Sequence, residues 1–292
     1  MGISTGPRIN NDGLVFYIDP GNTRSYSGAG SIIYDLVSGG IAGTLTNGPT
    51  YDVSRTGGLI LDGTNDYISF GRRADLQGTN ITISTWAKFA SLTSGDVAIV
   101  FGWTDGTNWR QGFGLGTYLS GIRSYLASIE YQASLNTWYH VATSSIGGSN
   151  ILYINGIGVS SSVASIVYAS TNLLTSGWGG AGYGSYAKFI LGSAKIHNRA
   201  LSAAEVYQEY YATRKRYYPD ENYVTSGLYI DLDASNPASY PGTGNSWFDL
   251  SGSGNHFSLL GIPLQKKTGV LKLQATQHAY RNAGWGTNIH FA

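Results

Sequence analysis

The 292-residue sequence contains no cysteine. No disulfide can staple it, and no thiolate can serve as nucleophile or soft-metal ligand. The redox compartment is left open. Charge is scarce: Asp, Glu, Lys and Arg make up 12%, about half the usual share. The formal net charge is +1, so no strong field attracts nucleic acid or an anionic membrane. Only four glutamates occur, Glu130, Glu205, Glu209 and Glu221. No apolar run approaches the roughly 18 residues of a membrane span. The opening dozen residues lack the apolar stretch of a signal peptide. The expectation is a soluble chain that makes no membrane insertion and binds no nucleic acid.

Apolar residues make up 42%, with 41 glycines and 22 tyrosines. That composition suits a β-rich protein with many tight turns and a polar, mostly uncharged surface. The chain also repeats itself. Gly13-Leu14-Val15-Phe16-Tyr17-Ile18-Asp19 returns as Gly227-Leu228-Tyr229-Ile230-Asp231-Leu232-Asp233. Asn22 is answered by Asn236, and Tyr34-Asp35-Leu36 by Phe248-Asp249-Leu250, all 214 residues on. Thr56-Gly57 with Leu59 and Leu61 matches Thr268-Gly269 with Leu271 and Leu273, at an offset of 212. Such self-similarity marks two copies of one unit. The expected organisation is an N-terminal arm over 1–12, a β-sandwich over 13–216, a joint over 217–226 and the start of a second sandwich over 227–292. The second copy is shorter than the first. Either the chain runs on past Ala292 or a neighbouring subunit completes the sheet.

Alternation of apolar and polar residues is clean in Ile81–Phe89, which predicts a sheet with one face on the core. Residues 13–19, 32–34, 59–61, 67–70, 97–103, 111–115, 125–131, 136–142, 151–156, 188–192 and 194–196 also read as strands. Gly147-Gly148 and Asn155-Gly156 supply hairpin turns. One helix is expected. Ser202 with Glu205 forms a capping box. Val206, Tyr207, Tyr210 and Tyr211 give an apolar stripe. Arg214-Lys215-Arg216 suits the C-terminal end of the dipole better than a nucleic-acid site.

Many short strands, one late helix and no cysteine spell an all-β, antiparallel β-sandwich. Several segments, in order, resemble the laminin-G-like branch of the concanavalin A-like jelly roll. They are Leu61-Asp62-Gly63 with Asp66-Tyr67-Ile68, Thr82–Trp86, Asn136–Val141, Leu152–Gly156, and Ile190-Leu191-Gly192 leading to Asn198–Ser202 and Glu205. The resemblance covers roughly 13–215. Its opening strand is similar to virion proteins of phages infecting aquatic bacteria, which carry such domains in tandem.

The resemblance implies several functions to weigh. Hydrolase relatives place carboxylates at alternate positions of one strand, as glycoside cleavage requires. Glu130 has no carboxylate at 128 or 132, and the only acidic i, i+2 pair is Asp231 and Asp233. No Gly-x-Ser-x-Gly elbow occurs. The histidines, at 140, 197, 256, 278 and 290, are scattered, and His140 reads as a structural residue on a core strand. The expectation is no enzyme. Relatives often bind calcium through acidic side chains and loop carbonyls. Asp62 and Asp66 flank a turn and are the metal candidates, although Asp62 can equally cap its own turn. No other cofactor is implied. Trp103, Trp109, Trp178 and Tyr183 lie in or beside predicted loops. They are candidates for a glycan platform, or for contacts with other subunits, where tyrosine and tryptophan are favoured. The expected role is a virion structural protein (capsid decoration, fibre or tail appendage) working through contacts with other virion subunits or copies of itself. The alternative is a carbohydrate-binding adhesin for host-surface glycans.

Overall fold

In the computed structural model the chain divides into two compact units, Met1–Pro219 and Asp220–Ala292. The structure describes residues 9–37, 40–54, 56–92, 98–104, 112–118, 121–124, 131–178, 186–218, 229–232, 239–240 and 244–259, and the backbone of 260, 264–267, 270–272 and 278–281.

The first unit is an antiparallel sandwich. Its strands are β1 (Leu14–Ile18), β2 (Ile32–Tyr34), β3 (Ala42–Thr46), β4 (Thr50–Asp52), β5 (Gly58–Asp62), β6 (Tyr67–Ser69), β7 (Ile81–Phe89), β8 (Ala98–Thr104), β9 (Gly114–Tyr118), β10 (Gly121–Ser124), β11 (Tyr131–Gln132), β12 (Trp138–Ile146), β13 (Ser149–Ile154), β14 (Ile157–Val163), β15 (Leu173–Ser176) and β16 (Lys188–His197). One sheet runs β14-β13-β12-β7-β16-β5-β4, with β1 paired to the C-terminal half of β16. The other runs β11-β10-β9-β8-β15-β6-β3-β2. Between them lies one core holding Phe16, Leu61, Ile68, Ile83, Phe89, Phe101, Leu152 and Phe189 among others.

The turn chemistry acts as the sequence predicts. Gly147 and Gly148 take φ of 56° and 83° between β12 and β13, and Asn155 and Gly156 take 51° and 79° between β13 and β14. Positive φ at both central residues matches the twist of a two-residue hairpin. Strands β3, β4, β10, β14 and β15 go beyond the sequence reading, and most of the strand expected over 125–131 lies outside the described residues. The two segments expected at 188–192 and 194–196 are one strand, β16, whose pairing to β7 shifts register between Leu191 and Ser193.

The helix α1 (Ala203–Tyr217) begins at Ser202 with the capping box to Glu205 in place. It covers the outer face of the first sheet. Strand β7 therefore has no solvated face: Ile81, Ile83, Ala87 and Phe89 enter the core, while Trp86 packs beneath α1 against Tyr217, ring centroids 4.2 Å apart. The expected apolar stripe is corrected too. Val206 and Tyr210 are buried, but Tyr207 and Tyr211 are exposed, and Glu209 and Tyr217 are buried in their place.

The second unit holds β17 (Ser246–Trp247), β18 (Phe257–Leu260) and β21 (His278–Arg281) in one sheet, and β19 (Leu264–Lys267) paired with β20 (Val270–Lys272). Its hydrogen bonds repeat those of the first unit 214 residues on. Tyr17 N donates to Asp35 Oδ1 at 2.8 Å, and Asp231 N to Asp249 Oδ1 at 2.8 Å. Ser25 Oγ donates to Tyr34 O at 2.6 Å, and Ser239 Oγ to Phe248 O at 2.6 Å. Tyr26 OH reaches Gly30 O, and Tyr240 OH reaches Gly244 O. Tyr240, Phe257 and Leu259 form its small core.

Candidate functional site

Strand β6 sends Ile68 into the core, and by alternation Tyr67 and Ser69 to the opposite face of the second sheet. Tyr67 is half-buried there. Its ring stands 5.1 Å from Trp178 and 6.4 Å from Tyr186, both also half-buried. Trp178 and Tyr186 are joined by an antiparallel bridge. Thr175 Oγ1 donates to Trp178 O at 3.1 Å, which fixes the tryptophan's backbone beside β15. Gly177 makes this path possible. Its φ is +94°, and a Cβ there would lie 2.2 Å from Leu61 Cδ2. Only glycine combines that backbone with that closeness.

The turn between β5 and β6 borders the cluster. Asp62 Oδ1 accepts from Thr64 N at 2.7 Å and from Asn65 N at 3.3 Å, and Asp66 Oδ2 accepts from Asp62 N at 3.1 Å. Thr64 N–H and the other turn amides hold the Asp62 carboxyl below the usual carboxylate range, whereas burial pushes Asp66 up. Asn47 Nδ2 donates to Asn65 O at 2.8 Å and braces the turn. The two carboxylates expected as metal ligands thus hold backbone N–H groups within one turn. Among the described residues no group of three His, Cys, Asp or Glu side chains is placed to hold a metal ion.

Of the four aromatics singled out in the sequence, the structure describes two and separates them. Trp178 stands at the rim cluster. Trp103 does not: it is 0% exposed, inside the sandwich, with its ring 5.6 Å from Tyr168. Alternation in β8 dictates this, since Phe101 and Trp103 share the core side, and a buried ring offers no face to a sugar or a subunit. Trp109 and Tyr183 lie outside the described residues, as does Glu130. Sequence reasoning misses Tyr67 and Tyr186. The signal for Tyr67 is its position next to Ile68, one step out of phase with the core.

Away from this cluster, a concavity of about 370 Å³ opens beside β1 and is lined by Asn11, Leu14, Tyr17, Asn22, Arg24, Leu36 and Val37. Of the N-terminal arm, Asn10 and Asp12 are tied to the sandwich itself. Asn10 Nδ2 donates to Glu205 Oε1 at 2.9 Å, and Arg199 Nε lies 2.9 Å from Asp12 Oδ2.

Beneath α1 lies a buried polar cluster with no signature in the sequence pattern. Glu209 Oε1 is 3.5 Å from Lys195 Nζ and 3.6 Å from His197 Nε2, and Ser84 Oγ donates to Glu209 Oε2 at 3.2 Å. Burial alone would raise the Glu209 carboxyl; Lys195, with His197 and His140, overcomes it and holds the group low. Burial pushes His140 down to about 4 and also lowers His197. Both imidazoles are therefore neutral near pH 7, and Lys195 is the cation that pairs with Glu209. At the far end of the helix Arg216 Nη1 donates to both Asp19 oxygens, at 2.8 and 2.7 Å, and Nε to Thr56 O at 2.6 Å. These groups clamp the helix onto the sheet.

The sequence profile of the concanavalin A-like lectin/glucanases superfamily matches residues 62–207, half of the chain. Among solved structures, Trypanosoma rangeli sialidase in complex with sialic acid superposes with a TM-score of 0.55 at 16% identity, covering 71% of this chain and 34% of the sialidase chain. The same sialidase as its covalent intermediate with 2,3-difluorosialic acid gives 0.55 at 16% identity, over 74% and 36%. Domain 4 of AbnA, a GH43 extracellular arabinanase from Geobacillus stearothermophilus, gives 0.49 at 15%, over 67% and 97%. The chain thus spans about a third of the sialidase chains it matches, and at these identities the likeness is one of fold. No curated protein sequence matches this chain. With half its length inside the profile, and two antiparallel sheets packed on one core, the chain belongs to the concanavalin A-like lectin/glucanases superfamily.

Proposed function

We propose that this protein is a non-catalytic carbohydrate-binding module, and that the Tyr67–Trp178 pair is its sugar platform. The observation that carries this reading is the half-exposed pair of rings, 5.1 Å apart, beside a polar turn. Sugar rings bind where an aromatic face meets a few placed polar groups, and Asp62 and Asn65 supply them. A role without hydrolysis is supported by where the carboxylates stand. Glu205 serves the capping box, Glu209 lies under α1, and Asp62 and Asp66 are held in their turn. The test is a glycan array followed by titration calorimetry. Trp178→Ala and Tyr67→Ala each weaken the best array ligand at least about tenfold. If no glycan binds, the reading fails. If Arg24→Ala abolishes binding while Trp178→Ala does not, the platform is misplaced and the groove beside β1 is the site.

A second reading, favoured by the tandem repetition of one hydrogen-bond set 214 residues on, is a virion structural role as a decoration, fibre or appendage subunit. Repeated modules in one chain suit extended particle components. Mass spectrometry of purified particles tests it: the chain at stoichiometric copy number supports the role, and its absence from particles removes it.

A further inference from the structure

The concavity beside β1 has pinned walls. In the loop between β1 and β2, Asn22 N donates to Asp19 O at 2.9 Å and Arg24 N to Asn22 Oδ1 at 3.0 Å. After β2, Leu36 N donates to Tyr17 O at 2.8 Å and Val37 N to Asp35 Oδ1 at 3.1 Å. The Tyr17 ring is fixed by its hydroxyl on Asp19 Oδ2 and by Lys195 Nζ, 5.3 Å over its face. A volume of about 370 Å³, with an apolar wall and a few polar groups, suits a small molecule. One charged group lines it, Arg24. Among the described residues no carboxylate, carbonyl or ring meets the Arg24 guanidinium. The carboxylates of the same segments are already engaged: Asp19 by Arg216, Asp35 by the Tyr17 and Val37 amides, and Asp12 by Arg199.

The second copy of the repeat separates what the fold requires from what it does not. Asn22, Ser25, Tyr26 and Asp35 return as Asn236, Ser239, Tyr240 and Asp249. Tyr17, Arg24 and Val37 do not return: their places hold Asp231, Ala238 and Ser251. The backbone bonds outlast the exchange. Asp231 N donates to Asp249 Oδ1 at 2.8 Å, as Tyr17 N does to Asp35 Oδ1. Ser251 N donates to Asp249 Oδ1 at 2.9 Å, as Val37 N does to Asp35 Oδ1. Three side chains that line the concavity are thus ones the copy does without, and they set its chemistry.

We propose that this concavity binds an acidic sugar, a hexuronate residue whose carboxylate pairs with Arg24. A guanidinium grips a carboxylate through two parallel N–H donors. One cation in the lining matches one negative charge, not the nearly two of a phosphate. The Asn11 and Asn22 carboxamides add donors for ring and hydroxyl oxygens. Leu36 and Val37 offer apolar surface to the C–H face of the sugar. Pinned walls leave little to be ordered on binding. For the sugar body this rests on the carbohydrate reading above; the carboxylate is read from Arg24 itself. The site shares no residue with the Tyr67–Trp178 platform.

The test is titration of the full 292-residue chain, labelled with nitrogen-15, with methyl glucuronide, read by amide shifts. The expected result is saturable shifts at Arg24, Leu36 and Val37, with a dissociation constant on the order of 1 mM. Methyl glucoside, which lacks the charge, binds at least about tenfold more weakly. Arg24→Ala, the exchange that the second copy itself carries, weakens the glucuronide at least about tenfold. Arg24→Lys keeps the charge but loses the fork, and falls between the two. A glucuronide that shifts no amide at Arg24, Leu36 or Val37 overturns the proposal, as does Arg24→Ala binding it undiminished. Sodium acetate or inorganic phosphate binding there as tightly also overturns it, since the site then reads an anion and not a sugar. The platform is judged apart, because Trp178→Ala should leave the glucuronide constant unchanged. Neutral glycans that need Trp178, with no glucuronide held at Arg24, remove this site alone. Glucuronide held at Arg24, with no glycan that needs Trp178, removes the platform alone.

Discussion

His140 shows how one residue's setting decides its chemistry. It pairs with Trp86 across β12 and β7, with its ring 5.4 Å from the indole, and α1 lies over both. Burial drives its pKa from 6.5 to about 4, against the pull of Glu209 and with the help of Lys195. The sign follows directly. A depressed folded-state pKa means the unfolded chain binds the proton more readily between those two values. The stability this imidazole contributes is full above about pH 6.5 and is lost as pH falls toward 4, with a slope of at most about 1.4 kcal/mol per pH unit. Urea midpoints across that window should fall in the wild type and fall less steeply in His140→Gln. An equal slope in both would show that folding does not lower the His140 pKa.

At the scale of the element, α1 is held by more than its apolar face. A helix this short draws most of its stability from packing, and here Trp86, Trp138, Tyr210 and Tyr217 supply that packing. Yet Glu209 is buried on the same side, facing Lys195 at 3.5 Å. Removing one member of a buried pair leaves the other charge desolvated and unmatched. Glu209→Ala should therefore destabilise the first unit by about 3–5 kcal/mol. The combination Glu209→Leu with Lys195→Met, which removes both charges, should cost much less. Chemical denaturation followed by tryptophan fluorescence reads both. The helix is legible in the sequence through Ser202 and Glu205, but its inward face is not. Four apolar residues at helical spacing point to Val206, Tyr207, Tyr210 and Tyr211, whereas the sheet beneath carries Lys195 and so draws in a carboxylate instead.

At the scale of the molecule, the repeat is the organising fact. Asp35 and Asp249 play the same part in their two copies. Each accepts a backbone N–H from a segment 18 residues earlier, at 2.8 Å. Each therefore anchors a loop against the opening strand of its own copy. Asp35→Ala should speed hydrogen exchange at the Tyr17 amide, and Asp249→Ala at the Asp231 amide, each at least tenfold for a bond worth about 1.4 kcal/mol. Protection left intact at Asp231 in Asp249→Ala would mean that the two copies share a sequence pattern and not a device.

The sequence by itself determined the kind of molecule this is. Period-two alternation in Ile81–Phe89, Gly147-Gly148 and Asn155-Gly156 at hairpins, and Ser202 with Glu205 at a helix start are local signals, and local physics honours them. The repeat needed only comparison of the chain with itself. Tertiary structure decided everything that depends on what lies across from a residue. Trp103 and Trp178 look alike in sequence, each beside a predicted loop, but one alternates into the core with Phe101 and the other stands on a rim against Tyr67. Asp62 and Asp66 are paired in sequence as a metal site would have them, but the turn's own N–H groups reach them first. Strand β14 has no strong apolar pattern, because its neighbours cover one edge and leave its valines in solvent. Burial and partnership are properties of the assembled sheets. A chain read one residue at a time carries the spacing of its contacts but not their identity.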